Sequence, residues 1–381
     1  MQSESKPKPS PIRPQHPSEV VVLSMKNVTK ESILGVGGFN TVFGVKVHGI
    51  DGFSQDRLYA LKCLSRPSTS SETSSETLWE NSSERRVWHG GRDLAVEAYL
   101  LSKLSNEHII KAHGVSNATS CGVDATSASC HDHFLLLEAL EEETLQDQQE
   151  SFAKSRYGKE AATDRARNIA TGIAKGLVNL HENDIVLRDL KPSNIGFDKS
   201  GCLKLFDLGL ARETHTIGEG DIAGTLSYMA PEIVLGRKTT LKSDIYSFGI
   251  LLWELISLKR AFKKFSSCPM QFKENVVIGS WRPSLSTIPS KTLRELINDC
   301  WDYDPEKRPD ITKVLEVLNM ESSYRIPSKK DSISKLNRLK ILVAPLCPLV
   351  RKIRFGGRQS NTGQTLSEEI PLRQNFIAST A

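Results

Sequence analysis

The chain has no CxxC pair, and its seven cysteines in 381 residues are an odd number. They stand at 63, 121, 130, 202, 268, 300 and 347, a scatter that argues against a disulfide framework and for a reducing compartment. Long apolar stretches are also missing. The longest uncharged apolar run, Ile341 to Val350, has ten residues and two prolines, against the ~20 that a spanning helix requires. Residues 1–18 lack the apolar core of a signal peptide and read as a disordered, proline-rich basic arm. A cytoplasmic location without a transmembrane segment is therefore expected. Nor is there an excess of one charge: 50 Lys and Arg against 45 Asp and Glu give a net +5, too balanced to point to nucleic acid as a partner.

What charge there is lies at the ends. Residues 1–18 carry +2 and residues 325–381 carry +8, so the remaining middle of the chain is mildly acidic at −5. At 38% hydrophobic residues that middle has the composition of a folded globular unit. Between residues 31 and 64, short runs of alternating apolar and polar residues separated by glycine-containing turns predict an antiparallel strand series. Residues 65–91, with eight serines and three threonines, interrupt it and read as an insertion without a fold of its own. Helical periodicity follows in Leu94, Glu97, Leu101 and Leu104, then in Ile169, Ile173, Leu177 and Leu180, then in Ile245, Phe248, Leu252 and Leu255. The sequence predicts a small lobe rich in strands followed by a larger helical one, an α+β architecture.

Two charges fall where charge is costly. Lys62 shares a strand face with Leu58, Ala60 and Leu64, and Glu97 lies on the apolar stripe of its helix. Taken singly, each could extend its charged end to solvent. An unpaired buried charge costs several kcal/mol, so the economical arrangement is that the two meet. Upstream, LGVGGFNTV sets Gly35 and Gly37 in a strand-turn-strand context where backbone amides can approach phosphate oxygens. By itself such a turn is an ordinary hairpin. Downstream come VLRDLKPSNIGF, LKLFDLGLA and GTLSYMAPE in that order, with a 26-residue segment from Asp207 through Glu232.

With these motifs the chain resembles the eukaryotic protein kinase family over residues 31–319. The resemblance implies a bilobal fold that uses ATP with Mg2+ or Mn2+ to phosphorylate protein substrates. It places Gly35 to Val42 over the phosphates, Lys62 on the α- and β-phosphates, and Glu97 as the residue that orients Lys62. Ala60 and the hinge from Glu138 to Leu140 would hold adenine, with Leu137 behind it. Asp189 would accept the substrate proton and Lys191 would neutralise the γ-phosphate. Asn194 and Asp207 would bind metal. Glu232 would pair with Arg308 beneath the substrate platform, and Asp244 would anchor the catalytic loop. Lys191 together with GT before SYMAPE is the serine/threonine pattern, in which Thr225 pairs with Asp189 and Lys191. SFGILLWEL and CWDYDPEKRP resemble the tyrosine kinase-like group of these enzymes. Arg188 would receive a phosphate from Thr214 or Thr216.

The chain departs from the family pattern at three places. Asn40 replaces the third loop glycine, and asparagine tolerates positive φ. Leu187 replaces the usual histidine and, with Leu101, Ala112 and Leu208, would build a hydrophobic column between the lobes. Gly196 stands where an aliphatic side chain usually lies beneath adenine, which leaves that floor open. These departures support the alternative of a catalytically weak pseudokinase acting as a nucleotide-binding scaffold. Retention of Lys62, Glu97, Asp189, Lys191, Asn194 and Asp207 opposes it. Cys121, Cys130, His131 and His133 raise a zinc module, but the short cysteine pairs of structural zinc sites are missing. The tail, 320–381, carries basic residues on both sides of a short apolar stretch. It reads either as a weak anchor on an anionic membrane surface, which would make the protein peripheral, or as a disordered segment docking on the acidic core.

Overall fold

A computed structural model describes residues 20–37, 40–64, 91–116, 133–141, 143–154, 159–265 and 268–323. The proline-rich arm, most of the serine-rich insertion, Cys121, Cys130, His131 and residues 324–381 of the basic tail lie outside the described residues, while residues 320–323, expected to open the tail, close the last helix. Gly91, the insertion's last expected residue, already belongs to a helix.

The N-terminal lobe is a six-stranded sheet. In chain order its strands are β1 (Val21–Leu23), β2 (Val28–Val36), β3 (Asn40–Val47), β4 (Tyr59–Leu64), β5 (Ala112–Ser116) and β6 (Phe134–Glu138). Across the sheet they run β1-β5-β6-β4-β3-β2. The side chains of β4 alternate as strand geometry demands. Tyr59, Leu61 and Cys63 enter one apolar cluster with Val45, Phe134 and Leu136. Ala60 and Leu64 enter the larger cluster that continues through the helical lobe. Helix α1, residues 91–103, contributes Leu94, Leu100 and Leu101 to that larger cluster. Lys62 is therefore carried on the face that looks toward α1.

The sequence-based expectation of antiparallel strands holds for every pair except one. β1 runs parallel to β5, with Val21 opposite Gly114. Gly114 makes this possible: a Cβ there would lie 2.5 Å from Leu23 Cδ1 and 3.0 Å from the Val21 carbonyl oxygen. Beside it, the His113 ring packs edge-on against Phe53 and Tyr59. Its Nε2 has no hydrogen-bond partner. Burial, reinforced by the cations of Arg57 and Lys111, lowers the His113 pKa from 6.5 to about 4. The unfolded chain thus binds a proton that the native imidazole refuses, and stability contributed by His113 is lost as pH falls from about 6.5 toward about 4. Thermal unfolding measured across that window should show a smaller loss for His113→Phe, which keeps the ring, than for the unaltered protein.

The second lobe is built on α2 (Leu145–Lys154), α3 (Lys159–Glu182), α4 (Pro231–Val234), α5 (Leu241–Ser257), α6 (Pro269–Phe272), α7 (Lys291–Cys300) and α8 (Ile311–Ser323). The predicted stripes of α3 and α5 are buried throughout, and α3 packs against both α5 and α8. Two small ribbons face the cleft. β7 (Ile185–Val186) pairs with β10 (Arg212–Glu213), and β8 (Ile195–Phe197) pairs with β9 (Leu203–Leu205). Catalytic-loop and metal-site candidates are carried in the turns that leave these ribbons.

Candidate functional site

The paired charges are found together. Lys62 Nζ donates to Glu97 Oε2 at 2.6 Å and to Asp207 Oδ1 at 2.6 Å. Burial opposes the charge on Lys62, but the two carboxylates outweigh it and hold the ammonium above the ordinary lysine range. Glu97 also accepts the Leu208 backbone N–H at 3.1 Å. One carboxylate on α1 is thereby tied both to the strand lysine and to the segment that carries Asp207. Further contacts hold α1 to the same segment: Arg212 with Asp93 at 2.8 Å and Lys103 with Glu213 at 2.8 Å. The sequence reading missed both pairs, although Asp93 and Glu97 have the i,i+4 spacing of one helix face.

Asp189 is the hub of the second group. Its Oδ1 accepts the Thr225 hydroxyl at 2.7 Å. Its Oδ2 accepts Lys191 Nζ at 2.7 Å and Asn194 Nδ2 at 3.1 Å. Lys191 also donates to Thr225 Oγ1 at 2.9 Å, closing a ring of three residues. The loop is held from behind by buried Asp244, which accepts the Leu187 and Arg188 N–H groups at 2.8 and 2.9 Å and faces His181 Nε2 at 3.0 Å. Two residues of this region take the left-handed conformation without being glycine, Arg188 at φ 69° and Asp207 at φ 62°. Such backbone costs of order 1–3 kcal/mol and persists because these contacts over-determine it. At Gly224, φ is 117° and a Cβ would collide with the Arg188 carbonyl oxygen. Only glycine fits there, and its close approach sets Thr225 against Asp189.

The nucleotide-side residues line the cleft between these groups and the sheet. Val42 stands opposite Lys62, and Ala60 stands opposite Gly44 and Leu137. Among the described residues, a Cβ on Gly35 would meet nothing within 4 Å, and one on Gly37 only the Asn40 carbonyl oxygen at 3.4 Å. Packing against the described residues therefore does not require these glycines, whereas phosphate oxygens approaching the backbone would. Asn40 differs from expectation. It opens β3 opposite Leu64 in extended backbone rather than at positive φ, and its carbonyl accepts the Gly37 N–H at 2.7 Å. The turn is closed by main chain, so no left-handed residue is needed at 40.

At the hinge, Glu138 N–H donates to the Lys111 carbonyl at 2.9 Å and Glu141 N–H to Phe197 O at 2.8 Å. The Glu138 carboxylate turns away to Lys111 N–H at 2.8 Å and Lys204 at 3.2 Å. Among the described residues, the Leu140 N–H between them has no protein acceptor, which suits the edge of a bound base. Asn194 spends its amide nitrogen on Asp189, leaving its oxygen for a cation. The Asp207 side chain, 47% exposed, reaches the same cleft. Two hard oxygen donors fit a magnesium ion that arrives with polyphosphate oxygens. No cluster of three or more His, Cys, Asp or Glu suited to a resident metal occurs among the described residues.

Beneath the platform, Arg308 is bidentate to Glu232 at 2.7 and 2.8 Å. Arg308 further donates to the Asp302 and Lys242 carbonyls at 2.9 Å each. Leu101, Ala112, Leu187 and Leu208 are all buried within the one cluster that joins the lobes. Arg188 is not free. Its Nη2 donates to the Asp221 backbone oxygen at 2.7 Å and to Asp221 Oδ1 at 2.9 Å. Thr214 and Thr216 form a short 3-10 turn after β10, where Thr216 Oγ1 bonds the Glu213 carbonyl.

Comparison with known proteins adds the following. The family model for the protein kinase domain matches residues 28–318. A putative mitogen-activated protein kinase kinase kinase 7-like protein of Drosophila melanogaster is 30% identical over 269 residues, 69% of this chain and 61% of that protein. Mitogen-activated protein kinase kinase kinase zak-1 of Caenorhabditis elegans is 30% identical over 238 residues, covering 59% of this chain and 30% of its own length. The serine/threonine-protein kinase STY46 of Arabidopsis thaliana is 34% identical over 151 residues, 39% of this chain and 26% of the relative. In each case the match spans less than two thirds of the relative's length.

Proposed function

The chain belongs to the protein kinase family, and on that premise we propose that it transfers the γ-phosphoryl group of ATP to serine and threonine hydroxyls of protein substrates in signalling. Its sequence features place it with the tyrosine kinase-like group. The observation that carries the proposal is the closed ring of Thr225, Asp189 and Lys191, made while Lys62 is paired with Glu97. Asp189 is positioned to take the hydroxyl proton as the new O–P bond forms and the bond to the bridging β,γ-oxygen breaks, releasing ADP with that electron pair. Lys191 offsets charge on the transferred group, and Lys62 holds the α- and β-phosphates. Asn194 and Asp207 would hold magnesium, which supplies charge neutralisation on the phosphates. The scaffold alternative finds no support in this arrangement, since all six residues it would need to lose stand in working contact.

The direct test is phosphorylation of a serine- and threonine-containing peptide library in the presence of magnesium. Asp207→Asn should abolish incorporation while leaving the unfolding transition in place. Equal incorporation by the variant would defeat the proposal.

Control of the site follows from Arg188. The resemblance offers this guanidinium to a phosphate on Thr214 or Thr216, but its side chain, 2% exposed, already holds Asp221. We therefore propose that Asp221 supplies the anion that fixes the activation segment, with a phosphate on either threonine adding to that order rather than creating it. Asp221→Asn should then lower turnover on the order of tenfold, the scale of losing one charge-assisted bond. The double variant Thr214→Ala/Thr216→Ala should keep turnover within about twofold of the unaltered enzyme. Phosphopeptide mapping of the active protein completes the test, and a doubly substituted enzyme without activity would reverse the assignment.

A further inference from the structure

Gly196 removes the side chain expected beneath adenine, yet the space next to it is occupied. A Cβ on Gly196 would lie 2.8 Å from Leu140 Cδ1 and 3.3 and 3.5 Å from two ring carbons of Phe206. The Glu141 N–H bond to Phe197 O, at 2.8 Å, pins the hinge onto β8 one residue past Gly196. That bond brings the Leu140 side chain over the glycine. Leu140 is half-buried and packs, with Val42 and Phe206, against the cluster that joins the lobes.

We infer that the Leu140 side chain is the floor of the adenine site in this chain, in place of a side chain at 196. The inference rests on the assignment of ATP to this cleft. Leu140 would then serve the base twice, through its unpaired N–H at the ring edge and through its isobutyl group under the ring. Val42 and Ala60, which the resemblance assigns to the nucleotide, belong to the same apolar cluster. Residues 140 and 196 share one volume, so the two positions are coupled: any side chain at 196 must displace Leu140, and a large one can serve only if Leu140 is cut back.

This coupling is testable by binding alone. Adenosine and a fluorescent ATP analogue are titrated against the full chain and its variants, with nucleotide-free unfolding as a check on the fold. Leu140→Ala should weaken both ligands on the order of tenfold, the loss of one aliphatic contact face. Leu140→Met, which keeps the bulk, should bind within about threefold of the unaltered protein. Gly196→Leu alone should weaken binding by forcing Leu140 aside, and Leu140→Ala/Gly196→Leu should recover most of the affinity. Equal losses for adenosine and ATP would locate the effect at the base rather than the phosphates. Failure of the unaltered protein to bind either ligand would remove the assignment of ATP itself. If it binds, but Leu140→Ala binds equally well or the double variant is no better than Leu140→Ala, the floor lies elsewhere and the inference is overturned. Should Leu140→Ala not fold, the contrast between Leu140→Met and Gly196→Leu decides: equal affinities would overturn it.

Discussion

Replacing Asp189 by asparagine is expected to lower kcat by about 10²- to 10⁴-fold, the range that a positioned general base contributes. Nucleotide affinity should stay within about twofold, because the contacts of Asp189 are to Thr225, Lys191 and Asn194 rather than to the hinge or Lys62. The amide retains the size of the carboxylate but accepts no proton at neutral pH. It also presents an NH2 group to a position ringed by donors, so the substitution disturbs the Thr225 and Lys191 bonds as well. Initial rates at saturating ATP and peptide give kcat, and a fluorescent nucleotide titration gives affinity. A variant that keeps more than about a tenth of its turnover would show that proton removal is carried by another group.

The largest expected loss of stability lies away from the chemistry. The Arg308 side chain is 0% exposed and its guanidinium spans Glu232, two backbone carbonyls and the face of Tyr246. Arg308→Ala leaves the buried Glu232 carboxylate uncompensated and should cost ~3–5 kcal/mol. Urea unfolding should show this as a lower midpoint at unchanged slope. The apolar double replacement Glu232→Leu/Arg308→Met should cost less than Arg308→Ala alone, since it strands no charge. If the single and double variants are equally unstable, the loss comes from packing rather than from the unpaired carboxylate.

Both expectations begin in features that could be read along the chain. A lysine and a glutamate on otherwise apolar faces signalled a buried pair before any geometry was known, since a lone charge there is too costly to leave unmatched. The order of the RDLKPSN, DLG and APE segments named the residues around Asp189, and the structure brings Thr225, Lys191 and Asn194 to its two oxygens. Strand alternation and helical stripes located β4, α3 and α5 because burial of one face repeats at a fixed period. The left-handed backbone at Arg188 was not legible, because arginine is not a residue type that favours positive φ, and at Asp207 the residue type permits that conformation without specifying it.

The sequence by itself thus named the residues of the cleft, through motifs whose types and order resemble those of protein kinases. Tertiary structure alone decided three further matters. Asp221 meets Arg188 because the activation segment folds back across the catalytic loop, at a chain separation no local pattern encodes. Strand β1 can lie against β5 in its observed register because Gly114 leaves room for Leu23, a fit between distant residues. Leu140 covers Gly196 because a single backbone bond from the hinge to β8 superposes them. Periodicity reports which face of an element is buried, but not which distant side chain fills the space against it; that is fixed only when close packing closes the volume.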